Sequence, residues 1–327
     1  MAHRSILTER QRADLFDLPT DEATLLRHYI LADDDIEYIL TRRRAHNRFG
    51  FALQLCALRF PGRLLALGEI IPQEISRFLA AQLGLKPDDL MRYAVREETR
   101  HEHLSALRKT YGYKMFSGRR AHDLKVWLEE EAEIAHSNKD LARRFVKECR
   151  STHTILPGIS VIERLCADAL VAAERRIETC IVDRLNDAMK DQLDAQLTEH
   201  ADGRISRFIW LRQFEVGKNT ADITRLLDRL EILQGIDLPV DVLDGIPPHR
   251  VTRLRRQGER YFTDGLRDIS SDRRLAILAV CSVEWRATIA DAIVETHDRV
   301  VGKIWRDAKR ICDTQINDAK ASLQDRI

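Results

Sequence analysis

The residues best placed to do chemistry are cations that have no acids beside them. Arg42, Arg43, Arg44, Arg48, Arg59 and Arg63 lie in a window from Tyr38 to Gly68 that contains no Asp or Glu. Over the whole chain the charges nearly cancel, 53 Lys and Arg against 52 Asp and Glu, so the excess is local. Arg can grip phosphate or guanine, and Asn can pair with adenine. The run Arg42-Arg43-Arg44-Ala45-His46-Asn47-Arg48 therefore carries side chains suited to a groove of nucleic acid. The opposing reading is a solvated helix start whose arginines pair with Asp33, Asp34, Asp35 and Glu37 just upstream, the usual fate of a charge run.

A second window without acids runs from His103 to His122. In it Arg108, Lys109, Lys114, Arg119 and Arg120 alternate with Tyr111, Tyr113 and Phe116 around Gly112 and Gly118. Basic groups spaced with aromatics and glycines in a loop suit a line of phosphates, with tyrosine hydroxyls as further donors. Between the windows, Arg92, Arg96 and Arg100 recur at helical spacing after Gly84 and Lys86-Pro87. Helix, short turn and helix with a basic row has the outline of a helix-turn-helix corner.

Other chemistries find less support. His101 and His103 flank Glu102 without the four-residue spacing that puts two imidazoles on one helical face. The six cysteines, at 56, 149, 166, 180, 281 and 312, include no Cys-x-x-Cys pair, so neither a zinc site nor a disulfide framework is expected. Asp33-Asp34-Asp35 stands directly before Ile36, Ile39 and Leu40, where carboxylates cap a helix and complement its dipole. No catalytic residue, metal, cofactor or small-molecule substrate is expected. Met1 to Asp14 is too polar for a signal peptide, and no apolar run approaches the roughly 20 residues of a membrane span. A cytoplasmic protein, nucleoid-associated when bound to DNA, is the expectation.

The elements that would position these residues are helical. The chain is rich in Leu, Ala, Arg, Asp and Glu, and it has no convincing alternating β-branched run. An all-α fold is expected: helical bundles with helix-turn-helix-like corners, then long helices. Thr8 reads as a cap, and Thr20 or Asp21 as the next. Phe49, Leu53 and Cys56 give the helix from Arg42 one apolar face and one cationic end. Pro72 opens a helix that stops at Gly84, and another starts at Asp88. Thr154-Ile155-Leu156-Pro157-Gly158 breaks the pattern, which places a DNA-binding domain at 1–152 and a second helical region, for further DNA contact or dimerisation, at 153–327. Ser160 and Glu163 form a capping box for a long helix. Gly235 to Pro248 is loop-like, Arg250 to Arg260 rides a short helix around Leu254, and a final helical stretch begins at Asp272.

The run Arg-Arg-x-x-His-Asn-Arg-x-Gly-Phe-Ala-x-Gln-Leu-Cys-x-Leu-Arg-x-Pro-Gly-Arg ends at Arg63, with Ile6-Leu7-Thr8-Glu9-Arg10 before it and Ile71-Pro72 after it. It closely resembles the N-terminal region of Tn-three-family replicative transposases. Arg253 to Arg260, Arg267-Asp268 and Arg273 to Leu278 resemble the central helical part of the same proteins. The resemblance implies modules that bind transposon terminal inverted repeats. It also implies that the RNase H-like domain with its metal-binding Asp-Asp-Glu triad lies beyond Ile327, so that this chain binds DNA without cutting it. The expected contacts are Arg42, Arg43, Arg44, His46, Asn47, Arg48 and Arg63, then Arg92 and Arg96, then Arg108, Lys109, Lys114, Arg119 and Arg120. The expected partners are duplex DNA and, as an alternative role, a second copy or a full-length transposase. A nuclease acting through scattered carboxylates is disfavoured, because isolated acids on helices do not position two metals.

Overall fold

The computed structural model describes residues 7–93, 97–199, 203 and 205–324. In chain order the helices are α1 (Glu9–Phe16), α2 (Glu22–His28), α3 (Asp33–Leu40), α4 (Ala45–Arg59) and α5 (Gln73–Leu83), followed by a 3-10 turn at Pro87–Arg92. Then come α6 (Glu97–Tyr111), α7 (Gly118–Ile134), α8 (Asn138–Ser151) and α9 (Ile159–Val182). The later helices are α10 (Asp187–Ala195), α11 (Arg207–Arg212), α12 (Thr220–Gln234), α13 (Pro248–Arg260), α14 (Thr263–Arg267) and α15 (Ser271–Gln324). The fold is all-α, as its composition predicts. The departures among the described residues are a two-residue ladder in which β1 (Lys114–Met115) pairs in parallel with β2 (Thr154–Ile155), and a single antiparallel bridge between Glu199 and Ser206.

Several helix starts follow from local capping. The Thr8 hydroxyl accepts from the Gln11 N–H while the Gln11 side chain accepts from Thr8 N–H, and Asp21 caps α2 through the Thr24 N–H. The Asp triplet occupies the first turn of α3, where Asp35 accepts from the Ala32 N–H at 2.9 Å. Such caps satisfy N–H groups that have no partner inside the helix.

The chain forms two compact units, Met1–Ala173 and Glu174–Ile327. The break at Thr154–Gly158, read alone, ends the first unit at 152. The structure carries it into α9, because Ile162, Cys166, Ala169 and Ala173 pack with Leu15, Leu128, Phe145 and Cys149. α9 already starts at Ile159, so Ser160 lies within its first turn and not at the N-cap that the expected Ser160–Glu163 capping box requires. Glu163 instead accepts from the Leu7 N–H and from Arg12, with an Nη2 to Oε2 distance of 2.7 Å, tying α1 to α9.

A second core of the first unit surrounds α4. All ten residues from Phe49 to Leu58 are buried, so α4 is a central helix wrapped on every side, not one with a single apolar face. In the second unit the start of α15 plays this part. Leu275 to Cys281 are buried without interruption, and Gly258 on α13 comes so close that an added Cβ would lie 2.3 Å from Cys281 Sγ.

Candidate nucleic-acid interface

The first basic window divides in two on folding. Arg42, Arg43 and Arg44 are not helical as expected but form a turn between α3 and α4, with Arg44 as an extended N-cap (φ −120°) that makes no side-chain cap bond. Three cations at a helix N-terminus oppose the helix dipole, which favours starting the helix after them. The Arg42 guanidinium lies 4.6 Å from the Phe51 ring centroid and 5.1 Å from that of Tyr38. Arg48 Nε donates to Arg42 O at 2.7 Å. These two arginines hold the turn together. Arg43 and Arg44 are exposed, and neither side chain has a partner among the described residues. His46 and Asn47 sit half-buried on the first turn of α4, next to N–H groups that no side chain caps. Such a terminus, flanked by cations, suits an anion.

The other two arginines of the window find acids from outside it. Arg59 Nη2 lies 2.9 and 2.8 Å from the two oxygens of Asp35, which also accepts from the Tyr111 hydroxyl at 3.0 Å. Arg63 makes two bonds to Glu69 and one to Phe16 O. Burial opposes ionisation of Glu69, but hydrogen bonds from Arg63 and the Ala66 N–H, with the charges of Arg63 and Arg100, hold its carboxyl below the usual range. Arg63 therefore acts as a clamp, not as a free contact.

The second window is likewise mixed. Its aromatics serve the cores: Tyr111 binds Asp35, Tyr113 is buried, and Phe116 meets Phe145 edge-on at 5.9 Å. Arg120 Nε donates to Thr154 Oγ1 at 2.9 Å, so it braces β2. Arg108 and Lys109 on the last turn of α6, Lys114 on β1 and Arg119 on the first turn of α7 are exposed, with no carboxylate partner among the described residues. The segment is a helix end, a short strand and a helix start, not the loop its glycines and aromatics predict. The two windows meet at Phe51, against which His103 packs edge-on at 5.2 Å and over which Arg42 lies. Burial, then the Arg42 charge, pushes the His103 imidazole down to about 4.

The corner read as helix-turn-helix has its first helix, α5, and its left-handed Gly84 (φ 61°). Its second helix does not start at Asp88. Asp89 accepts from the Lys86 N–H and closes a 3-10 turn that Tyr93 leaves in extended conformation. The row Arg92, Arg96, Arg100 is thus not carried on one helix through Arg92. Arg96 and the Arg92 side chain lie outside the described residues. In the second unit, Arg250 and Arg253 face Glu174, and Arg253 Nη2 lies 2.6 Å from it. Among the described residues, no three His, Cys, Asp or Glu side chains gather as a metal ion requires. No helix among them is long and apolar enough to cross a membrane.

Sequence spacing missed a further gathering of cations: Arg27 and His28 at the end of α2, and Arg150 and His153 beside β2. They come from two distant segments, so no local signal marks them.

Residues 6–169, half of the chain, match the family described as a domain of unknown function, DUF4158. The chain belongs to that family. This DUF4158 protein is also homologous to Tn-three-family transposases along its length. It is 33% identical over 327 residues to the transposase for transposon Tn3926 of Escherichia coli, a match that covers 100% of the chain and 33% of the relative. It is 32% identical over 330 residues to the transposase for transposon Tn501 of Pseudomonas aeruginosa, again covering 100% and 33%. With the transposase for transposon Tn1546 of Enterococcus faecium the identity is 28% over 304 residues, covering 91% of the chain and 30% of the relative. The DUF4158 chain thus spans about a third of the length of the curated relatives it matches.

Proposed function

We propose that this chain is the end-recognition part of a Tn-three-family transposase: it binds duplex DNA at the terminal inverted repeats and does not itself cleave strands. The observation that carries this reading is the sorting of cations in the first unit. Arg42, Arg48, Arg59, Arg63 and Arg120 are used internally, whereas Arg43, Arg44, Arg108, Lys109, Lys114 and Arg119 remain exposed and uncompensated. Exposed cations held on short elements of a packed scaffold suit phosphates, which position a protein on DNA. His46 and Asn47, at the open N-terminus of α4, are the side chains best placed to read base edges beside Arg44. Homology to transposases over the whole chain supports the same assignment.

The test is a gel-shift titration with a duplex of the terminal inverted repeat against a scrambled duplex of equal length, at two salt concentrations. Tighter binding to the repeat, weakened by salt, is expected. Equal affinity for both duplexes would remove end recognition. Metal-dependent nicking of the repeat would overturn the second half of the proposal.

A second role, association with another copy or with a full-length transposase, is favoured by one observation in the second unit. Beyond Ala292, α15 exposes Val294, Val301, Ile304, Trp305, Ile311 and Ile316. Apolar residues near heptad spacing suit a partner helix. Sedimentation of the full chain, with Ile304→Glu as the disrupting variant, tests it. A monomer at all concentrations, with no binding to added full-length transposase, would rule it out.

A further inference from the structure

We propose that the cleft between the end of α2, the end of α4 and the His153 turn is a phosphate-binding site. The cleft has a volume of about 460 Å³, within the range of small-ligand sites. Its chemistry comes from Arg27, His28, Arg59, Tyr113, Arg150 and His153, and among the described residues the only carboxylate on its wall is Asp35. That carboxylate is already engaged by Arg59, the Tyr111 hydroxyl and the Ala32 N–H. Arg59 and Asp35 therefore form a neutral floor. Arg27 and Arg150 face the cleft with no carboxylate partner among the described residues.

Arg150 carries most of the inference. Its guanidinium lies 4.4 Å from the Phe60 ring centroid, with Nε donating to Pro61 O at 2.7 Å and Nη2 to Leu15 O at 3.3 Å. Carbonyl oxygens satisfy hydrogen-bond donors but leave the charge uncompensated. Burial brings this group down to about 10, so it stays cationic at neutral pH. A largely buried cation without a counter-ion is costly, and an arriving anion offsets that cost.

The two histidines complete the ring of donors. His28 stacks on the same Phe60 ring, with centroids 5.0 Å apart and the rings 14° from parallel. Burial, and then the charges of Arg150 and Arg27, push its imidazole below the usual range. His153 holds a left-handed backbone (φ 49°), which is uncommon for a non-glycine residue. Its O accepts the Lys114 N–H at 2.8 Å, so the β1–β2 ladder fixes it at the cleft edge, where it meets Tyr113 edge-on. Tyr113 is itself pushed up to about 12 by burial and remains a neutral donor. A tetrahedral dianion or a phosphodiester entering here would meet two guanidiniums and two imidazole rings.

Two sources offer this chemistry: a backbone phosphate of duplex DNA, which rests on the function proposed above, or a free phosphate compound, which does not. The experiment follows the His28 and His153 ring signals of the full chain by NMR, with inorganic phosphate and, separately, with a mixed-sequence duplex. The comparison is Arg27→Gln/His153→Asn. Both side chains are exposed, and Asn tolerates the left-handed conformation, so the variant should fold.

Inorganic phosphate is expected to shift the ring signals of both histidines in the wild type, and that of His28 much less in the variant. If DNA is the source, the duplex displaces phosphate, and the variant's salt slope for DNA binding becomes shallower by about 0.9 for each phosphate that is no longer neutralised. Phosphate binding with an unchanged DNA affinity and slope assigns the cleft to a free phosphate compound. Phosphate binding by a chain that binds no duplex keeps the site and refutes the DNA reading. Histidine signals indifferent to both phosphate and duplex overturn the proposal.

Discussion

Removing Arg43 and Arg44 together should change how DNA binding depends on salt by an amount the structure sets. The two basic windows expose six cations with no carboxylate partner among the described residues, Arg43, Arg44, Arg108, Lys109, Lys114 and Arg119. If each neutralises one phosphate, at about 0.9 per phosphate, the log–log slope is about −5.4, so raising salt from about 50 to 200 mM weakens binding about 2,000-fold. Arg43→Gln/Arg44→Gln should bring the slope to about −3.6 and the loss of affinity to about 150-fold. Neither side chain has an internal partner among the described residues, so thermal stability should be unchanged. Arg63→Gln is the contrast: it breaks the clamp on Glu69 and Phe16 O, and should lower stability while leaving the slope alone. Fluorescence-anisotropy titrations across a salt series give the slopes. A wild-type slope shallower than about −2, or one that the double variant leaves unmoved, would refute the sorting of free from committed arginines.

Three further outcomes follow from the packing of the first unit. Asp35→Ala strands Arg59 and removes an acceptor for Tyr111 and Ala32, which should cost about 3–5 kcal/mol. At about 2–4 °C per kcal/mol, the first unit's thermal transition should fall by about 10 °C; a fall under about 2 °C would contradict the anchoring role. Gly50→Ala would place a Cβ 2.1 Å from the Tyr93 ring. It should cost about 1–3 kcal/mol by overpacking, and the Gly50→Ala/Tyr93→Ala pair should cost less than the sum of the single variants. His103, pushed down to about 4 by burial and then by Arg42, binds its proton more weakly folded than unfolded, where 6.5 is usual. Its contribution, up to about 3 kcal/mol, is complete above pH 6.5 and is lost as pH falls toward 4. Denaturant midpoints should show this slope in the wild type and a flatter one in His103→Gln.

What can be read from the sequence is what is encoded within a few residues. Thr8 caps α1 and Asp21 caps α2, each through an N–H three residues on, as their residue types at the helix starts predict. Pairing within a helix, as in Arg144 with Asp140 and Arg225 with Asp222, follows spacing, but pairing between elements is not legible, because the partners come from elsewhere. A window with no acid looks uncompensated, yet Arg59 finds Asp35 24 positions away, and Arg63 finds Glu69 just past the window's edge. Glu163 looks like the end of a capping box because Ser160 stands three residues before it. A partner 151 positions away, Arg12, claims it. The same holds for the cleft at His28 and Arg150: each residue looks ordinary in its own segment, and only folding brings them together around Phe60.

The residues that carry the family resemblance do two separate jobs. Phe49, Gly50, Phe51, Ala52, Gln54, Leu55 and Cys56 are buried, so this half of the motif specifies a central helix rather than a DNA contact. Gly50 is required there by the ring of Tyr93, and Gln54 donates to the Tyr93 hydroxyl at 2.6 Å. The other half, the arginine turn, is placed by that core. Arg42 lies over the Phe51 ring, and His103, the first residue of the second basic window, packs edge-on against the same ring. The exposed pair Arg43 and Arg44 is therefore referenced to the same ring as the helix that ends in Arg108 and Lys109. If the proposed DNA binding holds, a rigid reference of this kind would set cations far apart in sequence at fixed spacing against phosphates, which a flexible basic tail could not do.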